Sequence, residues 1–292
     1  MKVTYSEMQE RLKWNLNQKI DHSLATIEKA LSFSDGNAYV SFSGGKDSTV
    51  LLYLARMIKK DIKGVFFNTT NEFPEIYEFV KNTENVLKIN PEVNLKWVIE
   101  NKGFPLISKE QAWYIWQARH TQSEKLFFIK LVGKNGFGKI SKKWRFLLDV
   151  DFEVSPFCCD WLKKHPAQLY EKQNKLLPII GTNVGESRIR IKKYMNSGCN
   201  SFEQKHPVSQ PLSIWTEDNI WEFIKKEKIP YCNLYDQGYS RLGCAVCGFG
   251  CQHDDRFERL KISHPRMYEF GMNLTNNGVR YYDAIQMILN AK

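Results

Sequence analysis

The segment Ser43-Gly-Gly-Lys-Asp-Ser-Thr49 limits the fold more than any other stretch of the chain. Before it, Ala38-Tyr-Val-Ser-Phe42 is a short apolar run, which predicts a buried strand. After it, Val50 to Lys60 reads as a helix. Two glycines between a strand and a helix let the backbone turn tightly and approach an anion closely. Amide groups of the loop and of the helix start then face that anion, and the helix dipole adds to the attraction. Lys46 can neutralise phosphate charge. Ser43 and Ser48 can donate hydroxyl hydrogen bonds, and Asp47 can orient the loop or help hold a cation.

Gly64-Val-Phe-Phe-Asn68 predicts a second strand, and Phe73 to Val80 opens another helix. Leu95 to Ile99 and Leu177 to Ile180 are expected as further strands. Strands and helices in this alternation predict an α/β fold with a parallel sheet. Residues from about Tyr5 to Leu31 are expected as one helical region, with Leu16, Ile20, Leu24, Ile27 and Leu31 at helical spacing. Thr216 suits an N-cap, and Glu217 and Asp218 favour the positive end of a helix running to about Lys226. Cys244 to Cys251 reads as a turn, followed by a polar tail that is helical in part. Three segments are expected: a helical one at 1–34, a nucleotide-binding domain at 35–235 with an insertion at about 103–156, and a Cys-rich one at 236–292.

Lysine and arginine number 42 against 32 acidic residues, a net charge of +10. That balance suits an anionic partner, either nucleic acid or a substrate with several phosphates. From Lys125 to Leu148 seven basic residues occur with no acidic one, and Phe127, Phe128 and Trp144 lie among them. Such a mixture suits a nucleic-acid or nucleotide surface; a solvated flap is the plainer reading. No apolar run reaches the length of a membrane span, and the first residues carry no signal-like apolar stretch. A cytoplasmic protein with no membrane partner is expected, so the seven cysteines read as free thiols, metal ligands or catalysts rather than disulfides.

The loop at 43–49 lacks the Walker spacing, GxxxxGK followed by Ser or Thr. It resembles the SGGxDS loop of the PP-loop enzymes, which cleave ATP between its α and β phosphates. Asn68-Thr-Thr-Asn-Glu-Phe-Pro-Glu75 is similar to the DTxxxFPET segment of the phosphoadenosine phosphosulfate (PAPS) reductase branch, with Asn68 in place of the Asp. Gly181 to Arg190 is similar to that family's GxRxxESxxR segment, which contacts the nucleotide and its anionic group. Glu186, Ser187 and Arg190 match, whereas Asn183 stands where the family has Arg. Pro211-Leu-Ser-Ile-Trp215, Trp221, Ile229-Pro-Tyr231 and Leu234-Tyr-Asp-Gln-Gly-Tyr239 lead into Gly243-Cys244, as in the family's PLxxW and YDQGY run before GCxxC.

On these motifs, spread from about Val40 to Gly248, the chain resembles the PAPS reductase family of PP-loop adenine nucleotide alpha hydrolases. It looks close to the cluster-containing adenylylsulfate (APS) reductases and the DNA phosphorothioation enzymes. The resemblance implies a Rossmann-like parallel sheet flanked by helices, with a Cys-rich C-terminal extension. It implies ATP or APS/PAPS as the nucleotide, bound by Ser43, Gly44, Gly45, Lys46, Asp47, Ser48, Thr49, Asn68, Thr69, Gly181, Glu186, Ser187 and Arg190. Lys46 and Asp47 would be catalytic, with Mg2+ on the phosphates.

Cys158-Cys-Asp-Trp-Leu-Lys163 matches the family's CCxxxK segment, and Cys244-Ala-Val-Cys247 is a CxxC pair, with 84 residues between Cys159 and Cys244. The resemblance implies a 4Fe-4S cluster on Cys158, Cys159, Cys244 and Cys247. Zinc on the same four thiolates, or no metal, remains open. Cys251 lies outside this pattern and reads as an inert packed thiol or a sulfur carrier. Cys199 and Cys232 belong to no motif. The family's reductases use a nucleophilic cysteine in an ECGxH-like tail, and Gln252 to Lys292 holds no cysteine. Three readings follow: ATP-dependent sulfur transfer to DNA or tRNA, APS/PAPS reduction to sulfite, and a non-catalytic nucleotide-binding or redox-sensing module. A cysteine desulfurase or a thioredoxin-like protein would be the donor, and a homodimer is allowed.

Overall fold

A computed structural model describes residues 2–134 and 137–291 of the chain. Six strands form one sheet: β1 (Ala38–Ser41), β2 (Gly64–Phe67), β3 (Val86–Ile89), β4 (Leu177–Ile180), β5 (Asn200–Ser201) and β6 (Val208–Ser209). Their order is β3-β2-β1-β4-β6-β5. All pairings are parallel except β5 with β6. The expected α/β parallel sheet flanked by helices is therefore present. Parallel strands are covered on both faces, which explains why β1 and β2 read as continuous apolar runs.

The chain leaves β1 toward β2 on one side, and β4 lies on the other, with Val40 opposite Gly64 and Ile179. The strand order reverses there, and ligands of such sheets bind outside the carboxyl ends of the strands at that point. Ser43–Gly45 follow one of those ends and Gly181 the other.

Two compact units divide the residues. The first comprises Met1–Asn68, Phe73–Asn90 and Pro166–Leu242 and carries the sheet. One face of this sheet buries Tyr39, Val65 and Phe67 against Ala167 and Tyr170. Trp215 is fully buried in the same unit and donates its indole N–H to Ser23 Oγ at 2.8 Å, which makes it a core residue. The expected helix from Tyr5 is two helices, Tyr5–Leu12 and Leu16–Phe33. Asn15 interrupts them by capping the second, its side chain accepting from the Gln18 N–H.

The second unit comprises Thr69–Glu72, Pro91–His165 and Gly243–Lys292. It is mainly helical, with a two-stranded ribbon of β7 (Thr275–Asn276) and β8 (Val279–Arg280). Leu95–Ile99 is a helix, not the expected strand; it belongs to Leu95–Lys102. Asn94 caps it through the Trp97 N–H, and Leu95, Val98 and Ile99 are buried at helical spacing. Five residues with one lysine fit either period, and the cap decides between them. The insertion is helical over Lys109–His120 and Glu124–Val132, with a 3-10 turn at Lys142–Leu148. No helix among the described residues is long and apolar enough to cross a membrane.

Gly248 closes the CxxC turn in this unit. A Cβ there would lie 2.3 Å from Tyr281 Oη and 2.4 Å from the Pro105 carbonyl oxygen. Gly248→Ala is therefore expected to destabilise the protein by about 1–3 kcal/mol, since a backbone atom and a buried ring must move. Chemical denaturation tests this: an unshifted midpoint would show that the turn yields freely.

Candidate active site

Gly44 sits at φ +74, in the left-handed region that glycine reaches without strain. A Cβ on it would lie 3.0 Å from Ile76 Cγ2. Gly45 is the N-cap of the helix Lys46–Ile58 and provides no capping side chain. Lys46 to Thr49 thus form the first turn of that helix, which begins earlier than the apolar pattern indicates. Ser48 and Thr49 hydroxyls donate to the Gly45 carbonyl at 2.9 and 3.0 Å. The Ser43 N–H donates to Ser48 Oγ at 3.1 Å. These bonds fold the loop back on itself at the positive end of a helix, with the Gly45 N–H donating to Ser43 Oγ at 3.4 Å.

Tyr235, the first residue of the YDQGY run, is a site residue to which the motif reading gave no role at the loop. Its hydroxyl accepts the Lys46 N–H at 2.9 Å, at the helix end where an anion is most favoured. Trp221 and Tyr231 place their rings against Tyr235 and fix it there. Lys46 is buried, with Nζ 3.6 Å from Asp47 Oδ2, 3.4 Å from Glu217 Oε1 and 5.6 Å from the Tyr235 ring centre. Its charge is held by two carboxylates in this arrangement, and an incoming phosphate would compete for it.

Gly181, at the end of β4, presses on the same helix start: a Cβ on it would meet Asp47 O at 3.1 Å and Ser48 N at 3.3 Å. Glu186 pairs with Arg190 and lies 3.5 Å from Arg241 Nη2, so Arg190 is partly neutralised. Ser187 caps the helix Arg188–Ser197 by accepting the Arg190 N–H at 3.3 Å. Asn68 lies just past β2; its Nδ2 donates to Asn90 Oδ1 at 2.8 Å while its Oδ1 accepts from Tyr77.

Asp47 has its carboxyl raised above the usual range, first by burial, with Lys46 pulling it down and Glu186 pushing it up. A raised acid is a group whose ionisation weakens the folded state. Its contribution is favourable at low pH and is lost as pH climbs through the folded value. Asp47→Asn is expected to raise the denaturation midpoint at pH 7 and to lose that gain toward pH 4, while turnover falls. An equal gain at both pH values would contradict the burial argument.

The second unit brings Cys158, Cys159, Cys244 and Cys247 into one electrostatic neighbourhood. Burial pushes the Cys158 thiol well up, and Cys244, Cys159 and Cys247 push it further. Burial pushes Cys244 up to about 12, against the pull of Lys163. The charge on Lys163 is favoured, first by Cys244 and then, against the pull of burial, by Glu72. Cys158 and Cys159 open a helix that passes through a π-turn at Asp160–Lys164, a distortion common at functional sites.

Thr69 belongs to this unit rather than to the phosphate loop's. Cys244 Sγ lies 3.5 Å from Thr69 Oγ1, which donates to buried Glu72 at 2.7 Å. Asn71 accepts the Ala245 N–H on its carbonyl and the Val246 N–H on its side chain. Arg256 donates to the Cys247 and Phe249 carbonyls at 3.2 and 2.9 Å. Beside this turn Thr70 and Ile107 hold φ +57 and +58, unfavourable for β-branched residues.

The donor set suits iron–sulfur or zinc chemistry. As placed, no group of three or more His, Cys, Asp or Glu side chains among the described residues is arranged to hold a metal ion. Cys251 is buried and its thiol pushed up to about 11 by burial. Cys199 is likewise buried and pushed up to about 11.

Residues 37–248 match the phosphoadenosine phosphosulfate reductase domain, and the chain belongs to that family. It is 25% identical over 214 residues to a protein of Xanthomonas axonopodis pv. citri named phosphoadenosine 5'-phosphosulfate reductase, covering 73% of this chain and 72% of that one. It is 25% identical over 246 residues to a Bacillus cereus protein named adenosine 5'-phosphosulfate reductase, covering 84% and 88%. An uncharacterised protein of Methanocaldococcus jannaschii is 26% identical over 234 residues, covering 79% of this chain. The chain spans 39% of that archaeal relative's length and 50% of a second one's. The loop at 43–49 lies inside the matched domain, at a helix start that favours an anion.

Proposed function

We propose that the protein uses ATP, releases pyrophosphate, and transfers sulfur to a nucleic acid such as DNA, with a 4Fe-4S cluster on Cys158, Cys159, Cys244 and Cys247. One observation carries the choice over sulfite release. Cys199, Cys232 and Cys251, the three thiols outside the quartet, are all buried with their thiols pushed up, whereas a reductase needs an accessible thiolate to attack sulfur. The loop amides and Lys46 would hold the β and γ phosphates, with Mg2+ assisted by Asp47. A phosphodiester oxygen of the acceptor attacks the α phosphorus of ATP, and the α–β bond breaks to release pyrophosphate. Hydrosulfide then attacks the acceptor phosphorus, the bond to AMP breaks, and a proton is released. The cluster, when bound, would supply iron sites able to carry sulfide or electrons.

APS/PAPS reduction is the second reading, favoured by the names of the two bacterial relatives. The anaerobically purified protein offered APS and PAPS with thioredoxin separates the two. No sulfite from an iron-replete preparation is expected. Sulfite from either nucleotide would establish the reductase and refute sulfur transfer.

A further inference from the structure

Beside the helix that Cys158 and Cys159 open, the second unit contains an open aromatic cleft of about 480 Å3 lined by Lys102, Trp116, His120, Glu153, Phe157 and Trp161. Trp116 stacks on both Trp113 and His120, with ring centres 5.4 and 4.8 Å away, and Phe157 meets it edge-on at 4.9 Å. Lys102 Nζ lies 5.4 Å from the Trp161 ring centre. Flat rings, one cation and one carboxylate around a cavity this size are what an unpaired nucleobase requires: faces for stacking and an acceptor for its edge.

Glu153 supplies the acceptor. Its Oε1 pairs with Arg119 Nη2 at 3.2 Å. Its Oε2 is buried and accepts no hydrogen bond, with His120 Nε2 3.8 Å away. A buried carboxylate oxygen left in this state is costly unless a donor arrives. The backbone of Glu153 is pinned, its N–H donating to Asn276 Oδ1 at 2.8 Å and its carbonyl accepting the Phe104 N–H at 2.8 Å. The backbone of the acceptor is thus held in place, and Oε2, closed to solvent as placed, meets a base when the side chain turns into the cleft.

The charge around it fits a nucleic-acid strand. Immediately after His120, residues 121–131 border a second open cleft that exposes Lys125, Phe127 and Phe128. Lys134, Lys139, Lys142 and Lys143 are also exposed. Lys130 and Arg145, by contrast, are spent internally, Lys130 over the Tyr114 ring and Arg145 on the Leu131 carbonyl.

We infer that this cleft takes one unpaired base of a single-stranded nucleic acid, a base whose exocyclic amine donates to Glu153, while the lysines of the insertion bind the backbone. The inference deepens the nucleic-acid reading above and rests on it for the acceptor. Cytosine and adenine have the required amine; thymine does not, and its carbonyls would face the carboxylate.

Fluorescence anisotropy with labelled oligo(dC), oligo(dA) and oligo(dT) single strands tests it on the intact protein. Binding that favours oligo(dC) and oligo(dA), and that weakens steeply with salt, is expected. Trp116→Ala should weaken it about tenfold. Glu153→Gln should remove the preference over oligo(dT). If Trp116→Ala loses helical content, His120→Ala replaces it, with weaker binding expected from the lost stacking. Unchanged affinity in these variants, a preference for duplex, or displacement of the strand by AMP would overturn the inference. The two proposals fail separately. Base-selective binding without strand-dependent AMP release from ATP would refute sulfur transfer and keep the cleft. Strand-dependent AMP release with full affinity in Trp116→Ala would do the reverse.

Discussion

Lys46→Ala should lower pyrophosphate release from ATP by about a hundred- to a thousandfold while the far-ultraviolet circular dichroism stays unchanged. The size follows from what Lys46 does. It is the buried cation at the phosphate loop, placed at the first turn of the helix Lys46–Ile58. In the proposed reaction charge would build on the leaving pyrophosphate as the α–β bond breaks, and a prearranged ammonium would meet that charge without reorganising water. The fold should survive because alanine is the best helix former and the turn is closed by Ser48 and Thr49, not by the lysine. The loss leaves Asp47 and Glu217 without their shared cation, so a small drop in stability accompanies it. Near-normal turnover in a folded variant would remove the loop from the chemistry.

Cys244→Ala should abolish iron loading and the brown absorbance of the anaerobically purified protein, whereas Cys251→Ala should keep both. Cys244 is held in a turn whose amides are taken by Asn71 and whose carbonyls are taken by Arg256. Packing secures that turn: Tyr281 donates to the Val246 carbonyl at 3.3 Å, and a Cβ on Gly271 would strike Val246 at 2.4 Å. If the proposed cluster is held there, losing one of its four thiolates would open its coordination. Cys251 lies outside the quartet, and its removal leaves the donor set whole. Iron analysis of both variants checks this; equal iron in the two would reject Cys244 as a ligand, and zinc in place of iron would identify the other metal that four thiolates accept.

The phosphate loop was legible because its parts are contiguous: strand, two glycines, lysine and hydroxyls follow one another. Its partners were not, since Tyr235 and Glu217 are distant in the chain and join the loop only through the fold. The proximity of Cys158, Cys159, Cys244 and Cys247 could be expected from paired spacing and family likeness. Asn71 and Arg256 could not, because their roles are hydrogen bonds to a turn and no spacing marks them. β3 escaped notice for another reason: none of its residues is fully buried, so it has no apolar signature. Thr69 shows the limit of motif reading. It adjoins Asn68 in a nucleotide-like segment, yet its hydroxyl faces Cys244.

The most direct measurement is AMP and pyrophosphate release from ATP by the anaerobic, iron-replete protein, with and without single-stranded DNA and sulfide. Sulfur transfer to DNA predicts release of both in equal amounts only when the strand is present, with sulfur recovered in the strand. Release that ignores the strand, or no release while APS yields sulfite, would contradict it.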